Sequence, residues 1–234
     1  MDGEEFLQRD YPGRCVIIGH ESGIKAAVYF LMGRSPSSQA RVLEKKDDLV
    51  FTKPTDYDVL SKGNPELLLY NALAVDNAVV AVSNGRQTDT IFTEQFCMKG
   101  VEDTFSKSLS QWMYEPDDPN FTPRVSGVIT GLEEAIAYLG IIKRGPGGKA
   151  VREVFEVPPG KFMGIATYTG VNKNPLPSYV GEPFTLDFSV GNAKGMAERV
   201  WDLINPDFRV SLVAFLSSEY EDISEFHVIN RHEL

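Results

Sequence analysis

The stretch NAVVAVSNGRQTD, residues 77–89, decides how the rest of the chain is read. Its apolar run, Ala78–Val82, is rich in β-branched side chains, the composition of a buried strand. The chain then turns abruptly polar at Ser83, Asn84, Gly85 and Arg86. Asn-Gly is a turn signal because both residues tolerate positive φ. Gln87, Thr88 and Asp89 add an amide, a hydroxyl and a carboxylate. Two readings stay open here. A core strand ending in a crowded polar turn is a rigid holder for a small polar ligand. It is equally a hairpin or strand–helix turn with ordinary capping residues.

Downstream, Thr88 or Asp89 is expected to cap a helix beginning near Thr90. The helical region runs to about Trp112, with an interruption at Gly100. Val101, Phe105, Leu109 and Trp112 recur at helical steps and form one apolar face. A second polar concentration follows, YEPDDPNFTPR at residues 114–124. Its prolines stiffen the loop. Asp117 and Asp118 fit no calcium loop and have no histidine nearby, so they read as a solvated acidic turn. Beyond the loop the chain is strand-rich. Strands are expected over 124–130, 135–143, 151–157, 162–169, 184–190 and 208–216, with residues 132–139 reading equally as a short helix. An irregular loop at 170–182, a helix over 193–204 and an acidic, unassigned tail at 218–234 complete this half.

Upstream, Leu67–Leu73 reads as a buried strand carrying Tyr70 and Asn71. A buried Asn without partners costs on the order of 1–3 kcal/mol, so Asn71 is structural glue or part of a site. Segments 39–43 and 49–52 read as strands around a charged turn. The loop GRSPSS, residues 33–38, carries Arg34, Ser35 and further hydroxyls, the groups that grip a phosphate. It lacks the glycine spacing and lysine of a nucleoside-triphosphate loop. Residues 15–18 and 24–32 form an expected hairpin after the turn Tyr11–Arg14, and residues 1–10 a loose leader. Many strands with two or three helices argue for an α+β layered sandwich rather than a doubly wound sheet. No linker divides the chain, so residues 1–234 are expected to form a single domain.

The chain has 234 residues, 33 acidic and 23 basic, for a net charge of -10. The acidity is spread along the chain and repels nucleic acid and anionic membrane. A small anionic ligand is still served by a few converging arginines. Only Cys15 and Cys97 are present, which excludes a disulfide scaffold or a zinc cluster. The N-terminal residues lack an apolar signal core, and no stretch approaches the 18 or so apolar residues of a membrane helix. The terminal RHEL reads as an ordinary tail. A cytoplasmic protein with no metal is the expectation.

His20, His227 and His232 are the three histidines. None has metal-ligand spacing with a cysteine, and no GxSxG elbow exists. The remaining candidates are Arg, Lys, Tyr, Asn and Glu groups at strand ends, which orient an uncharged reacting amide and move protons without a cofactor. The residues alone lead to a binder or converter of a small polar molecule, phosphorylated or not.

The ordered set YPGR (11–14), GRS (33–35), YN (70–71), VSNGRQTDT (82–90) and YEPDDPNFTPR (114–124) resembles the archaeal-type IMP cyclohydrolase family. The resemblance implies a four-layer αββα sandwich like that of the N-terminal nucleophile hydrolases, without their self-processed nucleophile. It implies closure of 5-formamidoimidazole-4-carboxamide ribonucleotide to inosine monophosphate (IMP), with no cofactor and a homo-oligomeric assembly. By the same resemblance Glu115 relays protons, Tyr70 orients the formyl oxygen, and Arg34 and Arg14 hold the phosphate or ring. Ser35, Asn71, Asn84 and Asp89 complete a polar wall, and Arg124 locks the Glu115 loop or reaches the ligand. One departure stands out: Phe30 follows Tyr29 where the family carries a basic residue, leaving Arg34 or Lys25 as replacements. The competing expectation is a noncatalytic purine-nucleotide-binding protein on the same fold.

Overall fold

The structure, a computed structural model, describes residues 1–76, 78–96, 100–131, 134–187, 191–218 and 223–233. The chain begins with helix α1 (Gly3–Leu7), then strands β1 (Arg14–Glu21) and β2 (Ile24–Met32). Helix α2 (Pro36–Gln39) leads to β3 (Arg41–Lys46) and β4 (Leu49–Pro54), and the short helices α3 (Tyr57–Leu60) and α4 (Pro65–Leu68) follow. Next come β5 (Asn71–Val75), β6 (Val79–Ser83), α5 (Gln87–Phe92) and α6 (Val101–Ser110). A run of strands follows: β7 (Arg124–Thr130), β8 (Ile136–Arg144), β9 (Ala150–Val157), β10 (Lys161–Ala166) and β11 (Phe184–Leu186). Helix α7 (Ala193–Leu203) precedes the closing pair β12 (Arg209–Ser218) and β13 (Ile223–Asn230).

These strands make two antiparallel sheets, one in the order β11-β10-β1-β2-β12-β13 and one in the order β3-β4-β5-β6-β7-β8-β9. The architecture is α+β. The sheets pack on each other through β1 and β7, where Gly127 lies beneath Val16 and Ile18. Helices α5 and α6 cover the other face of the seven-stranded sheet, and α7 covers β12 and β13. This explains the unbroken apolar run of β6. Val80 and Val82 face the other sheet, while Val79 and Ala81 face Ile91, Phe105 and Leu109 of the helices. A strand covered on both faces has no polar side. Gly140 of β8 makes room for α6: a Cβ there would sit 2.5 Å from Leu109 Cδ1. At one edge the sheets are tied by Asn230, whose side chain accepts from Leu43 N and donates to Leu43 O, both at 3.0 Å.

Several expectations need correction. Residues 1–10 are no loose leader: α1 buries Phe6 and Leu7, and Phe6 stacks on Phe184 at 4.8 Å. Leu67–Leu73 is not one strand. Asn64 caps α4 and Pro65 opens it, and β5 starts only at Asn71. Helix α5 starts at Gln87, earlier than expected, behind Arg86 and without a side-chain cap, so neither Thr88 nor Asp89 is the cap. Neither Asn84 nor Gly85 has positive φ. The glycine is needed for closeness, since a Cβ on Gly85 would lie 2.4 Å from Arg124 Nη1. The strand expected over 184–190 is described as Phe184–Leu186, and 188–190 lie outside the described residues, as does Cys97. The unassigned tail contains β13, paired along β12.

Candidate functional site

The hairpin β1–β2, the loop after β2 and the loop before β7 converge on one cleft of about 280 Å³. Arg14, Arg34, Ser35 and Glu115 all line it. Gly13 sets the entry of Arg14. Its φ is +85°, and a Cβ there would meet Thr167 Oγ1 at 2.3 Å, so the turn before β1 requires glycine. Arg14 then points across to Glu115 and grips it with both arms: Nη1 donates to Oε1 at 3.0 Å and Nη2 to Oε2 at 2.8 Å. Arg124 Nη1 stands 3.9 Å from Oε1 on the other side. Glu115 is 2 % exposed. Burial pushes its pKa above the ordinary carboxylate range, against the opposing pull of Arg14. For Arg14 burial works against the charge, and Glu115 together with the surrounding phenols outweighs it, leaving the guanidinium firmly protonated.

The Glu115 loop is closed by its own bonds. Glu115 N donates to Thr122 O at 2.9 Å, and Thr122 N donates to Asp117 Oδ1 at 2.6 Å. Thr122 Oγ1 also bonds Asp117 and lies 2.5 Å from the Tyr168 hydroxyl. Asp117 is therefore half-buried and partnered on the cleft wall rather than part of a solvated acidic turn; Asp118 is exposed as expected.

Arg34 stands at the rim. Nη1 donates to Asn172 Oδ1 and Lys173 O, each at 3.0 Å, and its guanidinium carbon lies 5.3 Å from the centre of the Tyr11 ring. Ser35 caps α2 and shares hydroxyl contacts with Ser37 and Ser38 at 3.1 and 3.0 Å.

The other candidates are placed elsewhere. Tyr70, Asn71 and Asp89 line a separate hollow of about 340 Å³. Asn71 Nδ2 donates to Asp89 Oδ1 at 2.7 Å. The Tyr70 hydroxyl lies 2.6 Å from that of Tyr29, and Tyr70 acts electrostatically on both Arg14 and Arg124. Both phenols lie near the charged group, and neither lines the cleft. Asn84 is fully buried and lines neither hollow. Its Oδ1 accepts from Val125 N at 2.8 Å and Gln87 Nε2 at 3.0 Å, and its Nδ2 donates to Pro123 O at 2.9 Å. It is interior glue between the two polar loops, not a wall of the cleft. Arg124 is a lock: it donates to Met113 O at 2.8 Å and Gln87 Oε1 at 3.0 Å, holding both ends of the Glu115 loop.

Phe30 alternates to the face opposite Tyr29, is fully buried and does not line the cleft. Lys25 sits at the far end of β2 and does not line the cleft. Arg41, Tyr11, Asn120 and Tyr168 line it without having been singled out from sequence. Arg41 carries a weak signal in hindsight, as a cation at an alternating inward position right after the serine-rich loop. Among the described residues no group of three or more His, Cys, Asp or Glu side chains is arranged to hold a metal ion, and no helix is long and apolar enough to cross a membrane.

Comparison with known proteins gives a coherent result. A family model described as IMP cyclohydrolase-like protein matches residues 11–221. The chain is 28% identical over 193 residues to an IMP cyclohydrolase of Methanosphaera stadtmanae, covering 82% of this chain and 85% of the relative. It is 33% identical over 168 residues to that of Methanothrix thermoacetophila, covering 71% and 78%. It is 29% identical over 176 residues to that of Methanocaldococcus jannaschii, covering 74% and 81%.

Proposed function

The chain belongs to the IMP cyclohydrolase-like family, and from that premise we propose that it is an IMP cyclohydrolase, closing 5-formamidoimidazole-4-carboxamide ribonucleotide to IMP with loss of water. The observation that carries this reading is the buried carboxylate of Glu115, clasped by Arg14 in a cleft whose rim holds Arg34 and Ser35. Both reacting groups sit on one imidazole ring, so the protein has only to hold a productive conformer and move protons.

The carboxamide nitrogen attacks the formyl carbon and a C–N bond forms. One proton leaves that nitrogen and one leaves the formamide nitrogen; both end on the former formyl oxygen, which departs as water. Glu115, with a pKa raised above the ordinary carboxylate range by burial, is suited to take and return a proton. Arg14 keeps the carboxylate oriented and offers positive charge to the oxygen as it becomes anionic. Tyr70, paired with Tyr29 and outside the cleft lining, supports the Arg14–Glu115 group in this scheme and steers the substrate oxygen only through it. Arg34 and Ser35 hold the ribose-phosphate side, so Arg34 serves binding rather than chemistry. The Asn71–Asp89 pair stiffens the strand end behind Tyr70, and Arg124 fixes the Glu115 loop.

We further propose that the stacking of helices, two sheets and a helix is the four-layer sandwich of the N-terminal nucleophile hydrolases. Cys15 supports the lack of their processed nucleophile: it lies inside β1, fully buried, and burial pushes its thiol pKa well up. A cytoplasmic homo-oligomer is proposed on the resemblance alone, and light scattering of the purified chain tests the assembly.

The deciding experiment is conversion of purified formamido-carboxamide ribonucleotide, with chelator and without folate, followed by absorbance and confirmed by chromatography. Turnover well above the spontaneous rate is expected. Background turnover by a protein that binds IMP would replace this reading with the noncatalytic one.

A further inference from the structure

The largest side chain buried to near completeness in this protein is that of Arg41, only 2 % exposed and yet lining the cleft. Its Nε donates to Ser38 O at 3.0 Å and Nη1 to Leu68 O at 3.2 Å. Among the described residues no carboxylate forms an ion pair with it. Arg34, on the same wall, also has only neutral partners. Arg14 is different, because Glu115 neutralises it.

A buried guanidinium held by carbonyls alone is an uncompensated charge, which a folded protein tolerates poorly unless an anion completes it. The protein as a whole is acidic, with a net charge of -10, so this local excess of cation is a feature of the cleft and not of the surface. The groups that line the same cleft as Arg41 suit a tetrahedral anion: Arg34, Ser35, Ser37 and Asn64. A planar guanidinium with a free edge matches two phosphate oxygens at once.

We propose that Arg41 is the principal anchor for the phosphate monoester of the ligand, with Arg34, Ser35 and Ser37 completing the seat. The inference rests on the nucleotide reading of the cleft and deepens it by giving the cleft a direction. The phosphate lies at the Arg41 wall, and the heterocycle reaches toward Arg14 and Glu115.

The test is calorimetric titration of IMP, inosine and ribose 5-phosphate into wild-type protein and the variants R41Q and R41K. R41Q is expected to weaken IMP and ribose 5-phosphate by about 10- to 100-fold, the range of a lost charge-assisted pair, while inosine binding stays within about twofold. R41K, which keeps the charge but not the fork, should fall between. Inorganic phosphate should raise the melting temperature of wild type and not of R41Q. The proposal is overturned if R41Q weakens inosine as much as IMP, if it leaves IMP unchanged, or if wild type does not bind ribose 5-phosphate. The first outcome would make Arg41 a structural tie between the Ser38 and Leu68 carbonyls. These readouts do not use turnover. Failure of the cyclohydrolase assay with a phosphate-dependent loss in R41Q would sink the chemistry and keep the seat, and the reverse pattern would do the opposite.

Discussion

Ser83–Thr88 and Arg34–Arg41 are both short polar segments that follow a buried strand and contain the start of a helix. In the first, every buried polar side chain is spent on its neighbours, and only Arg86 is turned outward. Ser83 Oγ donates to Gly85 O at 2.8 Å and lies 2.5 Å from Thr88 Oγ1, and Asn84 uses both ends of its amide. Ser83, Asn84, Gln87 and Thr88 are all fully buried. In the second, two guanidinium groups find only carbonyl or amide partners and face a cleft. The first segment is closed on itself and serves as scaffold. The second carries charge that its own fold does not neutralise, and that residue of unmet electrostatics is what marks a place for a ligand. The same polar richness therefore has opposite meanings, and substitutions separate them.

The largest effect is expected at Glu115, where the two loops meet. Glu115→Gln keeps the shape and removes the proton relay, so turnover should fall by about 10² or more with IMP still bound. Unchanged turnover, measured beside a binding titration, would remove Glu115 from the chemistry. The acid limb of the kcat/KM profile tests the same group. Burial holds its pKa above the ordinary carboxylate range, so activity that needs the carboxylate should rise with pH through a window above that range. The sign for stability is opposite. The folded state holds this proton more tightly than the unfolded chain, so the contribution is present below the ordinary pKa and is lost as pH rises through the raised value. A limb at ordinary carboxylate pH, or one that survives in Glu115→Gln, would break the assignment.

Next in size is Asn84. Asn84→Ala strands the buried Val125 N–H and Pro123 C=O and should cost about 2–4 kcal/mol of folding stability by urea titration. Arg34→Gln should cost well under 1 kcal/mol of stability, because its side chain is at the rim, but should raise the KM. If Asn84→Ala left stability intact and raised KM instead, the scaffold and the ligand wall would have to exchange places.

Much of this architecture could be read in the chain, for reasons that are local. The hairpin β1–β2, the pair β3–β4 and strand β7 show as apolar runs between turn residues, and helix α6 as a four- and three-residue recurrence that lands on Phe105 and Leu109. What failed did so where tertiary contact overrides pattern. Leu67–Leu69 look like strand but close helix α4, started by Asn64 and Pro65. Phe6 and Leu7 look like a leader until Phe184 and Leu186 cover them. Of the candidate residues, Arg14 and Glu115 come together across 101 positions of sequence, which no spacing rule reports. Asn84 was legible as polar and buried but not as satisfied, since its partners Pro123 and Val125 lie about forty positions away. Arg41 is hard to read from sequence, because an arginine opening a strand normally points to solvent.

The smallest effect is also the most selective. Thr88 Oγ1 donates to Ser83 Oγ at 2.5 Å, which leaves the Ser83 proton for Gly85 O, all within a sealed turn. Thr88→Val keeps the volume and deletes the hydroxyl, so it should cost about 1 kcal/mol, with Ser83→Ala costing about the same. Because each hydroxyl is the other's partner, the double variant should cost clearly less than the sum, the coupling being the shared bond and the relief of an orphaned buried group. Two strictly additive losses would mean the hydroxyls are not partnered to each other and that the turn is less closed than its geometry requires. None of the three variants should move the KM, because the turn meets the ligand only through the loop that it supports. A shift in KM without a loss of stability would make Ser83–Thr88 a wall of the site, and the distinction between a closed turn and an open one would no longer identify where this protein binds.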